Sequence, residues 1–371
     1  MFSYLERLRP AILDTLRDAL EGERAALSSG FPAIAADLTA RLYEYAARGK
    51  ILRGCLVRLG FELCGGDASA EIPARDCRLA GAAMELFQSG LLVHDDIMDR
   101  DATRRGAPTI HAAFETMLGA DGSAGNGHNG MSLAICAGDL AYFIGFGLLA
   151  RLGSGAPAVR AVSSLSAREL ALVSLAQMRD VANGAVRDGG AGLFGEPGSE
   201  PAEASILSLY RHKTGRYTFS LPLAMGCALA SGSKRLARSL EEAGECLGVA
   251  FQLRDDELGL FAAPETLGKP VGSDLRENKK TILRSRLLAA SDRSHADALA
   301  GVYGNPEAGL AELAMVWELT VRLGVLESAR ATMRAFTEEA LRLAAPVLKS
   351  APAEARKAFE ELAAYNLERG K

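Results

Sequence analysis

Residues 78–99, RLAGAAMELFQSGLLVHDDIMD, are apolar on nearly every face of a helix until they end in three carboxylates. A helix that is apolar all round is buried on several sides, so this stretch predicts a central helix that carries acids into the interior. Asp95 and Asp99 stand four apart and project from one face at neighbouring heights, while Asp96 lies about 100° round the same turn. Carboxylates in the last turn of a helix oppose its dipole by ~0.3–1 kcal/mol each, and three together resist ionisation. A bound divalent cation would remove both penalties; a solvated acidic helix end is the plainer alternative. Arg104 and Arg105 follow within 91–111, LLVHDDIMDRDATRRGAPTIH, and in extended backbone they point in different directions, which suits two separate anions.

Further along, residues 240–260, LEEAGECLGVAFQLRDDELGL, repeat the arrangement. Leu240, Cys246 or Leu247, Ala250 or Phe251, and Leu258 mark an apolar face, and Asp255 with Asp256 arrives near its end. Two carboxylate clusters on two buried helices suggest one shared metal site. Oxygen ligands without His or Cys at metal-binding spacing favour Mg²⁺, which completes its octahedron with water and substrate phosphate.

The rest of the chain reads as helix. Ala and Leu dominate, strand-like alternation is scarce, and breaks containing Gly or Pro separate helical runs of roughly 12–25 residues, so the expectation is an all-α fold. The first run is amphipathic, with Leu5, Leu8, Ile12, Leu16 and Leu20 at steps of three and four, which suits core or dimer packing. Its interleaved acids leave no continuous apolar region, so neither a secretory signal nor a transmembrane segment is expected, and the default location is cytoplasmic. Residues 119–130 and 187–202 cannot bury a core and read as loops. No change of composition splits the 371 residues, which read as a single domain. The six cysteines form no CxxC pair and read as reduced core thiols.

A formal net charge of −4 excludes a general nucleic-acid binder, so any anionic ligand must be held by local basic residues. Lys50 and Arg53, in RGKILR at 48–53, stand three apart at the start of a helical run and share one face. Residues 268–280, GKPVGSDLRENKK, place Lys269, Lys279 and Lys280 in a Gly-rich loop, a natural lid over phosphate oxygens.

DDxxD, RRGxPTxH, FQxxDD and GKPxGSDLRxxKxT, met in that order, resemble the motifs of the trans-isoprenyl diphosphate synthases, and most closely the short-chain geranylgeranyl diphosphate synthases. The resemblance runs from about residue 45 to the C-terminus. It implies a large helical bundle around a deep central cavity, a homodimer, and head-to-tail condensation of isopentenyl diphosphate with an allylic diphosphate. It also implies Mg²⁺, three ions with substrate bound, held by Asp95, Asp99 and Asp255, with Asp96 and Asp256 as further ligands or as support behind them. By the same resemblance Lys213, Lys269 and Arg104 neutralise the allylic diphosphate, and Lys279 joins them at the phosphates. Lys50, Arg53, Gln88 and Arg105 hold isopentenyl diphosphate, with Arg369 and Lys371 added from the C-terminus. Thr214 and Gln252 turn oxygen dipoles toward the developing carbocation, where placed dipoles contribute several kcal/mol, and the released pyrophosphate removes the proton. Gln177 and Asp180 match the family's GQxxD segment, although Ala176 and Arg179 depart from it. The chain departs again at Gly54, where the family has Pro, at Gln88, where many members have His, and at Gly259, which stands for the last aspartate of the second motif.

Product length is expected to follow the helix that carries the first motif, because an extended isoprene unit spans about one helical turn, ~5.4 Å. In the family an aromatic residue four or five positions before the first aspartate stops growth at farnesyl; Leu91 and Gly90 occupy those positions here. One turn deeper Phe87 would floor the pocket, with Met84 beyond it, which points to geranylgeranyl diphosphate. Farnesyl or longer products, C25 and above, are the alternatives. So is a non-catalytic subunit of a heteromeric synthase, although such subunits lose the first aspartates. A terpene cyclase would carry an NSE-type second metal motif and lack the GKxxR site.

Overall fold

A computed structural model of the chain describes residues 2–119, 127–185, 200–261 and 272–368, and these are helical almost throughout. The chain divides into two compact units, one of Met1–Ala167, Leu221–Leu240 and Pro346–Phe359, the other of Arg168–Ser220, Glu241–Ala345 and Glu360–Lys371. The all-α expectation holds. Most of 119–130 and of 187–202, the two expected loops, lies outside the described residues.

The first unit is organised around α4 (Glu71–Met98), which packs against α1 (Phe2–Leu27), α2 (Pro32–Ala47), α3 (Leu52–Leu63), α5 (Ile110–Leu118), α6 (His128–Ala150) and α9 (Leu221–Leu229). From Leu79 to Phe87 every residue of α4 is buried, as its all-round apolarity requires. Small residues let the helices touch backbone to backbone. A Cβ added to Gly90 would sit 2.9 Å from the Gly138 carbonyl of α6, and one on Gly226 of α9 only 2.0 Å from the Val57 carbonyl of α3. Each buried Leu or Phe in these contacts contributes roughly 1.5–3 kcal/mol.

Between α4 and α5 the described residues contain their only sheet, β1 (Thr103–Arg104) paired antiparallel with β2 (Ala107–Pro108). The turn that joins them has positive φ at both central residues, 53° at Arg105 and 74° at Gly106, the requirement of a type I′ hairpin. Gly accepts that conformation freely; Arg105 adopts it at a cost of roughly 1–2 kcal/mol.

Among the described residues one helix, α6, is long and apolar enough to cross a membrane, although 44% of its most apolar window is buried against the protein. Its other side leaves Leu133, Ile135 and Phe143 exposed, and Cys136 with them. Cys136 therefore departs from the expected core thiols. No disulfide joins any of the six cysteines.

The second unit contains α7 (Ala156–Ala185) from Arg168 onward, α8 (Glu203–Tyr210), most of α10 (Lys234–Phe261), α11 (Ser273–Arg276), α12 (Ile282–Ala290), α13 (Arg293–Ala300), α14 (Leu310–Arg322) and most of α15 (Val325–Leu348). One apolar cluster joins Leu275, Leu287, Leu299 and Val316; another joins Ile206, Val249, Leu253, Ile282 and Met333. Between α8 and α9 the chain is wound as a π-helix over Arg211–Ser220. This form is rare and gathers at functional sites. Here glycine permits it: a Cβ on Gly248 of α10 would lie 2.0 Å from the Gly215 Cα, and one on Gly244 would lie 2.6 Å from the Ser220 nitrogen.

Candidate active site

The first acidic motif closes α4. The Asp99 N–H donates to the Asp95 carbonyl at 2.8 Å, so the helical turn runs on through Asp99 and keeps both acids on one face. Asp95 and Asp99 are partly exposed, whereas Asp96 is fully buried. Both Asp96 oxygens are engaged: Oδ2 accepts from the Tyr45 hydroxyl at 2.6 Å, and Oδ1 accepts from Nε of Arg104. Burial pushes the Asp96 carboxyl up to about 6 against the pull of Arg104, so it is ionised at neutral pH and balances the guanidinium. Asp96, expected as a ligand or as support behind the ligands, anchors Arg104. Nη2 of that arginine also reaches Asp101 at 3.3 Å and Asp95 at 3.7 Å.

The hairpin turn sends Arg105 elsewhere, as the adjacent arginines were expected to diverge. Its Nη1 lies 3.5 Å from the Tyr45 carbonyl and 2.6 Å from where a Cβ on Gly49 would be. Gly49 of the RGK segment is thus the residue that lets this guanidinium pass. Lys50 and Arg53 do not share a helical face. Ile51 between them has φ 54° and caps the start of α3, so Lys50 stands exposed before the helix and Arg53 lies in its first turn. No Ile51 side-chain group caps α3; Glu85 of α4 does so from across the packing contact, its Oε1 accepting the Gly54 N–H at 2.8 Å. Burial raises the Glu85 carboxyl, and the Gly54 hydrogen bond with Arg53 and Arg105 nearby opposes the rise. A proline at 54 would have no N–H to donate, which accounts for the departure there.

On α4 between Leu79 and Val93, only Gln88, Leu91 and Leu92 are not fully buried. At about 100° per residue, Gln88 and Leu91 fall within about 40° of Asp95, while Phe87 is about 80° and Gly90 about 140° away. The two latter were expected to set product length, and both face α6. The Phe87 ring stacks 4.9 Å from Phe146, and a Cβ on Gly90 would meet the Tyr142 ring at 2.9 Å. Of the three length-setting candidates, Leu91 alone keeps the face of Asp95.

In the second unit, α10 carries Asp255, partly exposed, beside Asp256, which is buried. Asp256 Oδ2 accepts from the Tyr210 hydroxyl and Oδ1 from Gln252 Nε2 at 3.0 Å. Gln252 Oε1 in turn accepts from the Thr214 hydroxyl at 2.7 Å, and the Tyr210 oxygen accepts the Ile282 N–H at 3.1 Å. Burial pushes Asp256 up to about 7, with the Tyr210 and Gln252 hydrogen bonds opposing it. Thr214 and Gln252 thus meet, and the π-helix brings them together. Arg216 fastens that π-helix through Glu169, at 2.7 and 2.8 Å, and through Glu245. Lys213, on the same segment, donates to Asp180 of α7.

Lys279 Nζ lies 2.9 Å from Glu277 and 3.7 Å from Asp274. Lys280 is buried against Glu200 at 3.0 Å and does not belong to a lid. Lys269, Arg369 and Lys371 lie outside the described residues.

Among the described residues no three His, Cys, Asp or Glu side chains are gathered to hold a metal ion. Within the first unit the partly exposed pair Asp95 and Asp99, and within the second Asp255, are each of the donor type that suits Mg²⁺, which binds through one or two carboxylates and takes its other ligands from water and phosphate. Sequence reasoning missed Tyr45, Glu85 and Tyr210. Glu85 alone gave a signal, as an acid inside an otherwise apolar helix.

Comparison with known proteins gives these residues their context. The polyprenyl synthetase family model matches residues 36–320. A geranylgeranyl diphosphate synthase of Sulfolobus acidocaldarius is 32% identical over 74% of this chain and 74% of its own. A geranylfarnesyl diphosphate synthase of Aeropyrum pernix is 31% identical over 90% and 94%. The crystal structure of a Corynebacterium glutamicum geranylgeranyl pyrophosphate synthase, complexed with isoprenyl diphosphate and magnesium, superposes with a TM-score of 0.82 at 29% identity over 96% of this chain and 98% of that one. With its two acidic motifs and the arginine hairpin between them, the chain belongs to the polyprenyl synthetase family.

Proposed function

We propose that the chain is a trans-prenyltransferase, working as one domain, that condenses isopentenyl diphosphate with an allylic diphosphate and releases geranylgeranyl diphosphate. The observation that carries this reading is the paired construction of the acidic motifs, each a partly exposed aspartate beside a buried, hydrogen-bonded one. Mg²⁺ held by Asp95, Asp99 and Asp255 would supply the charge that lets the allylic diphosphate depart. Arg104, held by Asp96, and Lys213, held by Asp180, would serve the allylic diphosphate as oriented cations. Arg105, Arg53, Lys50 and Gln88 take isopentenyl diphosphate, with Glu85 fixing the start of α3 beneath them. Thr214 and Gln252 present oxygen dipoles to the allylic cation, a contribution of several kcal/mol in a dry site.

A C20 product is supported by Leu91, a non-aromatic residue one turn before Asp95, and by the geranylgeranyl-named relatives. The geranylfarnesyl-named relative favours a C25 product as the second reading. Incubation of the purified protein with Mg²⁺, isopentenyl diphosphate and each allylic primer, followed by chromatography, tests both. The expected result is a C20 diphosphate. A dominant C25 product would favour the second reading, and no product from any primer would end both. A homodimer is supported by the exposed Leu133, Ile135 and Phe143 of α6, whose apolar surface suits a protein partner. A cytoplasmic location is supported by the six cysteines, none in a disulfide.

A further inference from the structure

Between α11 and α12 two adjacent lysines go to different surroundings. Lys279 and Thr281 line one pocket with Asp256 and Tyr303, while Lys280 between them is buried against Glu200. Extended backbone sends alternate side chains to opposite sides, and Thr281, at φ −91° and ψ 163°, is extended. On the Lys280 side the contacts are dense. Oε1 of Glu200 accepts from Lys280 Nζ at 3.0 Å, from Arg284 Nε at 3.0 Å and from Arg284 Nη2. The Arg284 guanidinium also lies over the Tyr303 ring, 4.3 Å from its centroid. Two buried cations thus share one carboxylate. Asn278, just before Lys279, is fastened as well. It holds φ 59°, a conformation Asn tolerates better than most residues. Its Nδ2 donates to the Gly184 carbonyl of α7 at 3.0 Å, and its Oδ1 accepts from Arg284. Gly184 makes room for that contact, since a Cβ there would lie 3.0 Å from the Glu277 carbonyl oxygen. Of Asn278, Lys279 and Lys280, therefore, Lys279 lines the pocket and its two neighbours are tied down. Without Glu200 the buried Lys280 and Arg284 would repel with no counter-charge between them. The readiest escape is for Lys280 to turn toward water, which would rotate the backbone that carries Lys279.

Resting on the prenyl-transfer reading, in which Lys279 meets the diphosphate, we infer that Glu200 is a positioning residue that holds Lys280 and Arg284 so that the turn between α11 and α12 presents Lys279 to phosphate oxygens. The adjacent lysines then divide their work: Lys279 serves the ligand and Lys280 the frame. The frame is anchored outside both acidic motifs, at the approach to α8.

Calorimetric titration of inorganic pyrophosphate into the full chain in Mg²⁺ tests this through a double-mutant cycle. Lys279→Ala should lower the affinity about tenfold, the scale of one hydrogen bond to a charged group. Glu200→Gln should lower it about fivefold, the scale of coupling between neighbours, although Glu200 does not line the pocket. In the double variant the affinity should stay at that of Lys279→Ala, because the residue being aimed is gone. Thermal melts supply the contrast. Glu200→Gln should lower the midpoint by the same amount with Lys279 present or absent, since the stability of the buried cluster does not pass through Lys279. Glu200→Asp, which keeps the charge on a shorter arm, takes its place in the cycle if the Gln variant does not fold. Wild-type affinity in either single variant, or losses that multiply to about fiftyfold in the double variant, would overturn the assignment. Failure of the prenyl-transfer reading would look different: the same coupled losses in a protein whose wild type forms no prenyl product.

Discussion

At the end of α4, Asp95 keeps a partly exposed carboxylate while Asp96 is buried under the Tyr45 hydroxyl; on α10, Asp255 and Asp256 divide in the same way under Tyr210. Burial raises both phenols, which keeps them protonated and fixed as donors. The second oxygen of each buried acid separates the motifs. Asp96 gives it to the Arg104 guanidinium, Asp256 to the Gln252 amide. The first is a charge-balanced anchor, held at about 6. The second, pushed up to about 7, is a hydrogen-bond relay that ends on the Thr214 hydroxyl. Adjacent acids in one motif are therefore built differently: one stays partly exposed, and the buried one holds the cation or amide beside it.

The largest expected effect tests the first half of that division. Asp95→Ala and Asp255→Ala should each lower kcat by ~10²–10³-fold, the scale of losing one preorganised electrostatic contact. Their thermal midpoints should stay near wild type, because partly exposed side chains contribute little to packing. Steady-state kinetics at saturating Mg²⁺ with parallel thermal melts check this. Near-normal turnover in either variant would remove that acid from the site.

Next in size is the anchor. Asp96→Asn leaves the Arg104 guanidinium without its buried counter-charge and should cost about 2–3 kcal/mol of stability, as measured by urea unfolding. It should also raise KM for the allylic substrate more than for isopentenyl diphosphate, since Arg104 loses its aim and Arg105 does not. Equal rises in the two constants would mean that the arginines do not serve separate substrates.

The course of α4 was legible because its apolarity leaves a helix nowhere to go but inside. Asp95 with Asp99 was legible from a spacing of four. Which of two adjacent aspartates turns inward was not, because the deciding hydroxyls come from Tyr45, 51 residues away, and Tyr210, 46 away. The placement of Phe87 and Gly90 against α6 has a simpler origin. Counting whole turns back from Asp95 ignores the phase, and at about 100° per residue a step of five lands on the opposite face. Lys50 and Arg53 lost their common face to one left-handed residue, Ile51, whose type gives no warning of positive φ. The π-helix of Arg211–Ser220 has no compositional mark beyond Gly215, and its shape depends on Gly244 and Gly248 one helix later.

The smallest expected effect on stability is also the sharpest test of the relay. In Asp256→Asn the Oδ1 position can be taken by an amide nitrogen, which would face the Gln252 Nε2 donor-to-donor. Turning the Gln252 amide over resolves the clash: its oxygen then accepts from the new asparagine, and its nitrogen points at Thr214. Every hydrogen bond survives, so the loss of stability should be under about 1 kcal/mol, well below that of Asp96→Asn. The polarity at the far end is reversed, however. Thr214 now accepts where it donated, and its hydroxyl proton is free to turn toward the allylic cation that its oxygen should stabilise. With near-native stability, kcat should fall by about fivefold, ~1 kcal/mol, and KM for both substrates should hold. Thr214→Val in the same background should then cause little further loss, because the dipole it removes is already misdirected. If Asp256→Asn and Asp96→Asn instead destabilised the protein equally, the two buried acids would be the same device, and the distinction between anchor and relay would fall.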